Sequence, residues 1–181
     1  MQKGAEDKND MITRAACEHA LRRIAQGDMD GLETIYDKLG RRIYLLAYSI
    51  LGDTHAAEDV LQDTLLRLSK NAALREDGNA LSYILTVARN LALDHWRRRG
   101  REIPSEELFV MRSDGREEST EIPFSALEAL RELDDEERQI VTLKVEGGLR
   151  HREIATMIGI TQAACEKRYR RALEKLKAYY L

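Results

Sequence analysis

Five arginines, Arg89, Arg97, Arg98, Arg99 and Arg101, fall within thirteen residues that carry a single acid, Asp94. A second run, Thr161 to Leu181, holds six Lys/Arg against two Glu. Guanidinium groups stay charged and present a planar fork of donors, so such runs suit the capture of phosphate oxygens. A third set has the opposite sign. Asp59, Gln62, Asp63 and Leu66 recur at i, i+3, i+4 and i+7, with Glu58 beside them. One acidic, amide and apolar face of that kind suits a basic helical partner. Catalytic chemistry finds no comparable support: the chain has no P-loop, no Gly-rich phosphate cradle and no Ser/His/Asp order. Cys17-Glu18-His19 puts two metal-type ligands on one helix, and His55, His95 and His151 are scattered. The expectation is therefore no metal, no cofactor and no catalytic residue.

The elements that carry these residues must be helices. The chain has 181 residues with only 2 Pro and 11 Gly, which favours long uninterrupted helices over a turn-rich β fold. Its net charge is −3. That total hides a sorting, because seven acids crowd Glu102 to Glu121 between the two basic runs. Nucleic-acid binding follows the local potential near phosphates, so a mildly acidic total does not exclude it. Two cysteines, Cys17 and Cys165, exclude a disulfide scaffold and suit a reducing cytoplasm. No run of about 18 apolar residues is present to insert in a membrane, and the polar start MQKGAEDKNDM does not read as a secretory signal.

The fold class is all-α, with two helical domains joined by a flexible acidic linker. Residues 1–10 read as a disordered N-terminus, 11–100 as the first domain, 101–123 as the linker and 124–181 as the second domain. The linker holds both prolines, Pro104 and Pro123, and no sustained apolar period. In the first domain, helices are predicted over Ile12 to Gln26, Met29 to Leu51, from Asp53-Thr54 onward, and from Gly78-Asn79 to Arg99. The second carries Leu32, Ile35, Tyr36, Leu39, Ile43, Leu46, Ala47 and Ile50 at helical spacing. Ala57, Leu61, Leu65 and Leu68 form the predicted core stripe of the third. In the fourth, Leu81, Ile84, Leu85, Ala88, Leu91 and Ala92 turn inward, while Tyr83, Val87, Asn90, Asp94 and Arg97 turn outward.

The second domain opens with a helix over Ser125 to Leu133. Asp134-Asp135-Glu136-Glu137 then starts another, its carboxylates at the positive end of the helix dipole. The remainder fits a helix-turn-helix. A short helix over His151 to Ile158 leads to a turn at Gly159-Ile160, and Thr161 caps a second helix. Ile160, Cys165, Leu173 and Leu176 face inward. Gln162, Ala163, Glu166, Lys167 and Arg170 face outward along the first turns, the positions that reach base edges in a major groove. Lys167, Arg168, Arg170 and Arg171 add phosphate contacts. On these residues alone, a stand-alone helix-turn-helix regulator and a helical adaptor both stay open.

Three ordered stretches narrow the choice. AEDVLQDTLLRL (Ala57 to Leu68), LTVARNLALDHWRRRGR (Leu85 to Arg101) and the segment Arg138 to Leu176 containing EGGLRHREIATMIGIT resemble an extracytoplasmic-function (ECF) alternative sigma factor of the sigma-70 family. The resemblance covers about five-sixths of the chain. It implies a region 2 bundle and a region 4 helix-turn-helix, with core RNA polymerase and promoter DNA as partners. It also implies an anti-sigma factor or other regulator, and a chain that is monomeric when free. Glu58, Asp59, Gln62, Asp63 and Leu66 then bind polymerase. Asn79, Tyr83, Arg89, Asn90, Asp94, Arg97, Arg98 and Arg101 serve the −10 element. Thr161, Gln162, Ala163, Glu166, Lys167, Arg168, Arg170 and Arg171 serve the −35 element. This chain departs from the family pattern in having Ser69, Ala80 and Leu85 where aromatics are common, Tyr83 where Trp is common, and Glu166 where a basic residue is common. Fewer stacking platforms weaken strand capture, and a carboxylate accepts from cytosine N4 while repelling phosphate.

Overall fold

A computed structural model of the chain describes residues 2–71, 79–99 and 129–180. Among them seven helices follow one another: α1 (Gln2–Ala25), α2 (Asp30–Leu51), α3 (Thr54–Lys70), α4 (Ala80–Arg99), α5 (Asp135–Val145), α6 (His151–Ile158) and α7 (Gln162–Tyr180). No strand occurs among the described residues. The expected linker 101–123 and residues 125–128 of the helix expected over Ser125 to Leu133 lie outside them, and residues 129–131 of that helix are helical.

α2 is the central element because its second half is apolar nearly all round. Ile43, Tyr44, Leu45, Leu46 and Ala47 are consecutive and all buried, the pattern of a helix enclosed on every side. It packs against α1, α3, α4 and α5. Its first half is amphipathic, and there one expectation fails. Tyr36 is 55% exposed rather than in the core. Its ring lies along the helix surface over Gly40, one turn on, with Tyr36 Cδ2 3.5 Å from where a Cβ would stand, an ordinary contact distance.

The flanking helices start and stop on local chemistry. Asp53 accepts a hydrogen bond from the Ala56 amide at 2.8 Å and caps α3. Asp134 and Glu137 form a reciprocal capping box on α5. The core stripe of α3 is rotated from the expected one. Ala56, Ala57, Val60, Thr64 and Leu68 are buried, whereas Leu61 and Leu65 are half-buried. Thr64 is tolerated inside because its hydroxyl donates to the Val60 carbonyl at 2.7 Å. The inner stripe of α4 matches expectation, with Leu91 half-buried.

One further expectation changes. Residues 2–10, read as disordered, are helical and continue α1. Once the helix is anchored from Asp10 onward, each added residue gains one backbone bond without a new nucleation cost. The two helical units also share one core. Ile35, Leu39, Ile43, Leu81, Ile84 and Leu85 of the first unit form a continuous apolar cluster with Ile140, Leu143, Leu149, Ile154 and Cys165 of the second. Fully burying one such Leu or Ile contributes about 1.5–3 kcal/mol.

Polar contacts pin the same junction. Arg138 of α5 is almost fully buried. It donates to the carbonyls of Leu133 (2.9 Å), Leu130 (3.0 Å) and Ser49 of α2 (3.3 Å). Arg42 donates to the Gly147 carbonyl at 3.2 Å and to Asp10 at 3.3 Å.

Candidate nucleic-acid interface

The polymerase face expected on α3 is presented to solvent: Glu58, Asp59, Gln62 and Leu66 are exposed, with Leu66 at 53%. Asp63 differs. It is half-buried, and His95 Nε2 of α4 lies 3.3 Å from its Oδ2. This contact ties the rim of the α3 face to α4.

On α4, Asn90, Asp94, Arg97 and Arg98 are exposed and Tyr83 is half-buried. Asp94 and Arg97 pair at 2.8 Å, one turn apart. Tyr83 donates through its hydroxyl to the Asn71 carbonyl at 3.3 Å. Asn79 accepts from the Ser82 amide at the start of α4 and from Arg14 at 3.5 Å. Arg101 lies outside the described residues. Trp96 is 38% exposed on the outer surface of α4.

Arg89 does not point freely to solvent. Its Nε donates to Gln139 of α5 at 2.8 Å, and Nη1 donates to the Met157 carbonyl of α6 at 3.4 Å. Burial pulls its pKa below the usual guanidinium value. The side chain points into the second unit because α5 and α6 cover that part of α4.

This covering creates a half-open pocket of about 370 Å³ between the two units. Asn79, Ser82, Tyr83, Thr86 and Asn90 line the α4 wall, while Glu153, Thr156 and Met157 of α6 close the other side. Arg14 of α1 stands at its rim, donating to both Glu153 oxygens at 2.9 Å and to the Gly148 carbonyl at 3.0 Å. Burial pushes the Glu153 carboxyl up, but hydrogen bonds from Arg14 and the Arg150 amide outweigh it and hold the group below its ordinary value. Arg14 and Glu153 were not among the expected site residues. An Arg on an N-terminal helix carries no sequence sign of which distant carboxylate it will meet.

The helix-turn-helix forms as the pattern predicts. Gly159 ends α6 at φ +80°, a left-handed conformation that favours glycine. Thr161 Oγ1 accepts from the Ala164 amide at 3.2 Å and caps α7. Thr161, Gln162, Ala163, Lys167 and Arg170 are exposed, and Glu166 is half-exposed. Gln162 Nε2 donates to Glu166 Oε1 at 2.8 Å. Two of the four expected phosphate contacts turn the other way. Arg168 reaches Glu136 at 2.7 Å and Arg171 reaches Glu137 at 3.4 Å, drawn by the acids that open α5. Inside, Cys165 and Ala172 are buried, with Tyr169 and Leu176 packed against the apolar clusters. Ile160 and Leu173, expected inside, are half-buried.

Comparison with known proteins fits this arrangement. Residues 35–102 match Sigma-70 region 2, and residues 124–176 match Sigma-70, region 4. The chain belongs to the sigma-70 family, in its extracytoplasmic-function group, and is an alternative sigma factor. It is 29% identical over 167 residues to the ECF RNA polymerase sigma factor SigE of Mycolicibacterium smegmatis, covering 86% of this chain and 65% of that protein. It is 28% identical over 171 residues to the ECF RNA polymerase sigma factor SigK of Mycobacterium tuberculosis, covering 87% and 89%. Among solved structures, the sigma factor RpoE of Bartonella quintana, crystallised with the anti-sigma factor NepR, shares the fold at a TM-score of 0.64. That match has 24% identity and covers 76% of this chain and 89% of that one. CnrH, solved with the cytosolic domain of CnrY, shares it at a TM-score of 0.60 with 21% identity, covering 90% and 96%. α1 lies N-terminal to both matched regions.

Proposed function

We propose that this chain docks on core RNA polymerase through Glu58, Asp59, Gln62 and Leu66 of α3, with Asp63 at the edge of that face. It captures the −10 strand along α4, with Asn79, Tyr83, Asn90 and Asp94 as readers and Arg89, Arg97, Arg98 and Arg101 as phosphate contacts. α7 enters the −35 major groove with Thr161, Gln162, Ala163 and Glu166 toward base edges, and Lys167 and Arg170 toward phosphates. Arg168 and Arg171 join the phosphates after leaving Glu136 and Glu137. The chain carries no reaction of its own; nucleotide addition belongs to the polymerase. It acts in the cytoplasm, where polymerase and promoter are.

The observation that carries this reading is that Asn79, Tyr83 and Asn90 stand together on one wall at α4. A base extruded from the duplex loses a few kcal/mol of stacking and pairing, which a shaped polar pocket offsets. Glu153, Thr156 and Met157 of α6 face that wall in the closed chain, so the −10 strand and region 4 compete for one surface of α4. Arg89 favours the exchange, because its neutral acceptors Gln139 and the Met157 carbonyl are poorer partners for a guanidinium than a phosphate. The closed arrangement is the resting form, and polymerase binding draws the two regions apart. One solved relative was determined with the anti-sigma factor NepR and the other with the cytosolic domain of CnrY, and a protein of the anti-sigma kind is the expected partner of the closed form here.

The test is run-off transcription by purified core enzyme with and without this chain. Promoter-specific transcripts that need the chain support the reading. Failure to co-elute with core enzyme, with no gain in transcripts, refutes it. A stand-alone helix-turn-helix regulator instead predicts a dimer on a palindromic site without polymerase.

A further inference from the structure

We infer that Glu166, held in place by Gln162, selects a cytosine at one position of the −35 element. The inference rests on the proposed use of α7 as the reading helix and names what that helix reads. Gln162 and Glu166 are one turn apart on the exposed first turns of α7, joined by the 2.8 Å bond from Gln162 Nε2 to Glu166 Oε1. A carboxylate can only accept, so the Gln162 amide must turn its NH₂ toward Glu166. Its carbonyl oxygen and the second Glu166 oxygen are then left as acceptors. The contact also restricts both side chains before DNA arrives, which lowers the ordering cost on binding.

Base chemistry then discriminates. Cytosine presents an N4 amino donor in the major groove, which a carboxylate accepts. Guanine presents only acceptors, N7 and O6, and thymine presents O4 and a methyl group. Adenine offers N6–H but sets the N7 acceptor beside it, facing the carboxylate. Cytosine alone offers its donor without an adjacent major-groove acceptor on the same base. The repulsion between Glu166 and the DNA backbone is offset by its exposed neighbours Lys167 and Arg170. Arg168 and Arg171 are instead paired with Glu136 and Glu137 of α5.

The experiment uses the holoenzyme, core polymerase with the full chain, on promoter DNA with a randomised −35 element. Transcribed sequences are counted. The expected result is one position where cytosine exceeds guanine by about tenfold or more. Glu166→Arg should move the preference at that same position to guanine, since Arg bonds N7 and O6 together. Gln162→Leu should broaden that position and leave the others unchanged. Lys167→Ala should weaken all sequences alike. A Glu166→Arg holoenzyme with an unchanged −35 profile overturns the inference while leaving the sigma-factor reading intact. A wild-type holoenzyme that selects no promoter at all overturns both. Thermal unfolding of each variant confirms that the fold is kept, as exposed substitutions on α7 predict.

Discussion

Arg14 and Glu153 are 139 residues apart in sequence and joined by two hydrogen bonds of 2.9 Å. The pair links α1, which precedes the matched family regions, to α6 of region 4, beside the pocket lined by Asn79, Tyr83 and Asn90. Arg14 is 24% exposed and Glu153 is 7% exposed, so the contact is partly shielded from water. Arg14→Ala should destabilise the closed chain by about 2 kcal/mol, the scale of a hydrogen bond to a charged group whose partner is left buried. Chemical denaturation measures this. The same variant should bind promoter DNA several-fold better as free protein, because α6 is less firmly held. Reduced stability with unchanged DNA binding would detach the contact from function. The pH dependence has a defined sign. Glu153 has a depressed pKa, so its contribution is complete above the ordinary carboxylate value and is lost as pH falls through the folded-state value.

Gly148 should be intolerant of a side chain. It sits at φ +66°, and an added Cβ would stand 2.7 Å from Asp10 Oδ1 and 2.9 Å from Arg42 Nη1. Gly148→Ala should therefore cost about 1–3 kcal/mol from backbone strain and push apart the Asp10–Arg42 contact. Loss of stability greater than that of Gly159→Ala, whose Cβ meets open space, is the measurement that checks it.

The docking and reading faces should separate by substitution. Asp59→Lys with Gln62→Ala should weaken core-polymerase affinity by about tenfold, or 1.4 kcal/mol, in a competition assay against labelled core enzyme. Asn90→Ala should change −10 preference at one position and leave polymerase affinity alone. All three residues are exposed, so unfolding of either variant would show the face assignments to be wrong.

His151 predicts a second pH effect. Its Nε2 is buried without a hydrogen-bond partner among the described residues, and its ring packs edge-on against Tyr169 at 5.1 Å. Burial, and then the charge of Lys144, pull its pKa below the ordinary value, with Glu166 opposing. The folded chain thus favours the neutral ring. Stability from this source is full above about pH 6.5 and falls as pH drops below it, because the unfolded chain takes the proton first. His151→Phe should flatten that slope between pH 7.5 and 5.5 in urea-denaturation midpoints.

The shared core predicts coupled unfolding. Leu143 of α5 is 1% exposed and lies in the cluster that spans both regions. Leu143→Ala should cost about 2–5 kcal/mol. It should lower a single cooperative transition followed by probes in either region. Two transitions, with only one shifted, would contradict the continuous core.

Much of this molecule was legible because helix chemistry is local. The spacing of Leu81, Ile84, Leu85, Ala88 and Ala92 marks the buried side of α4 whatever it packs against. Asp53, Thr161 and the acids at Asp134 to Glu137 announce helix starts because a cap needs only the residues beside it. The acidic face of α3 and the outward face of α7 follow from the same period. Periodicity was less reliable where two partners share a helix. α3 buries Val60 and Thr64 rather than Leu61 and Leu65, since the positions of α2 and α4 rotate its contact line.

By itself, the sequence determined the helices, their order, the helix-turn-helix and which segments carry basic charge. Only the tertiary structure decided that both units close on one core, that Arg89 turns to Gln139, and that Arg168 and Arg171 turn to Glu136 and Glu137. An apolar stripe states that a face must leave water, and a guanidinium states that it needs acceptors. Neither states which of several chemically equivalent partners will be nearest once a chain of this length has folded back on itself.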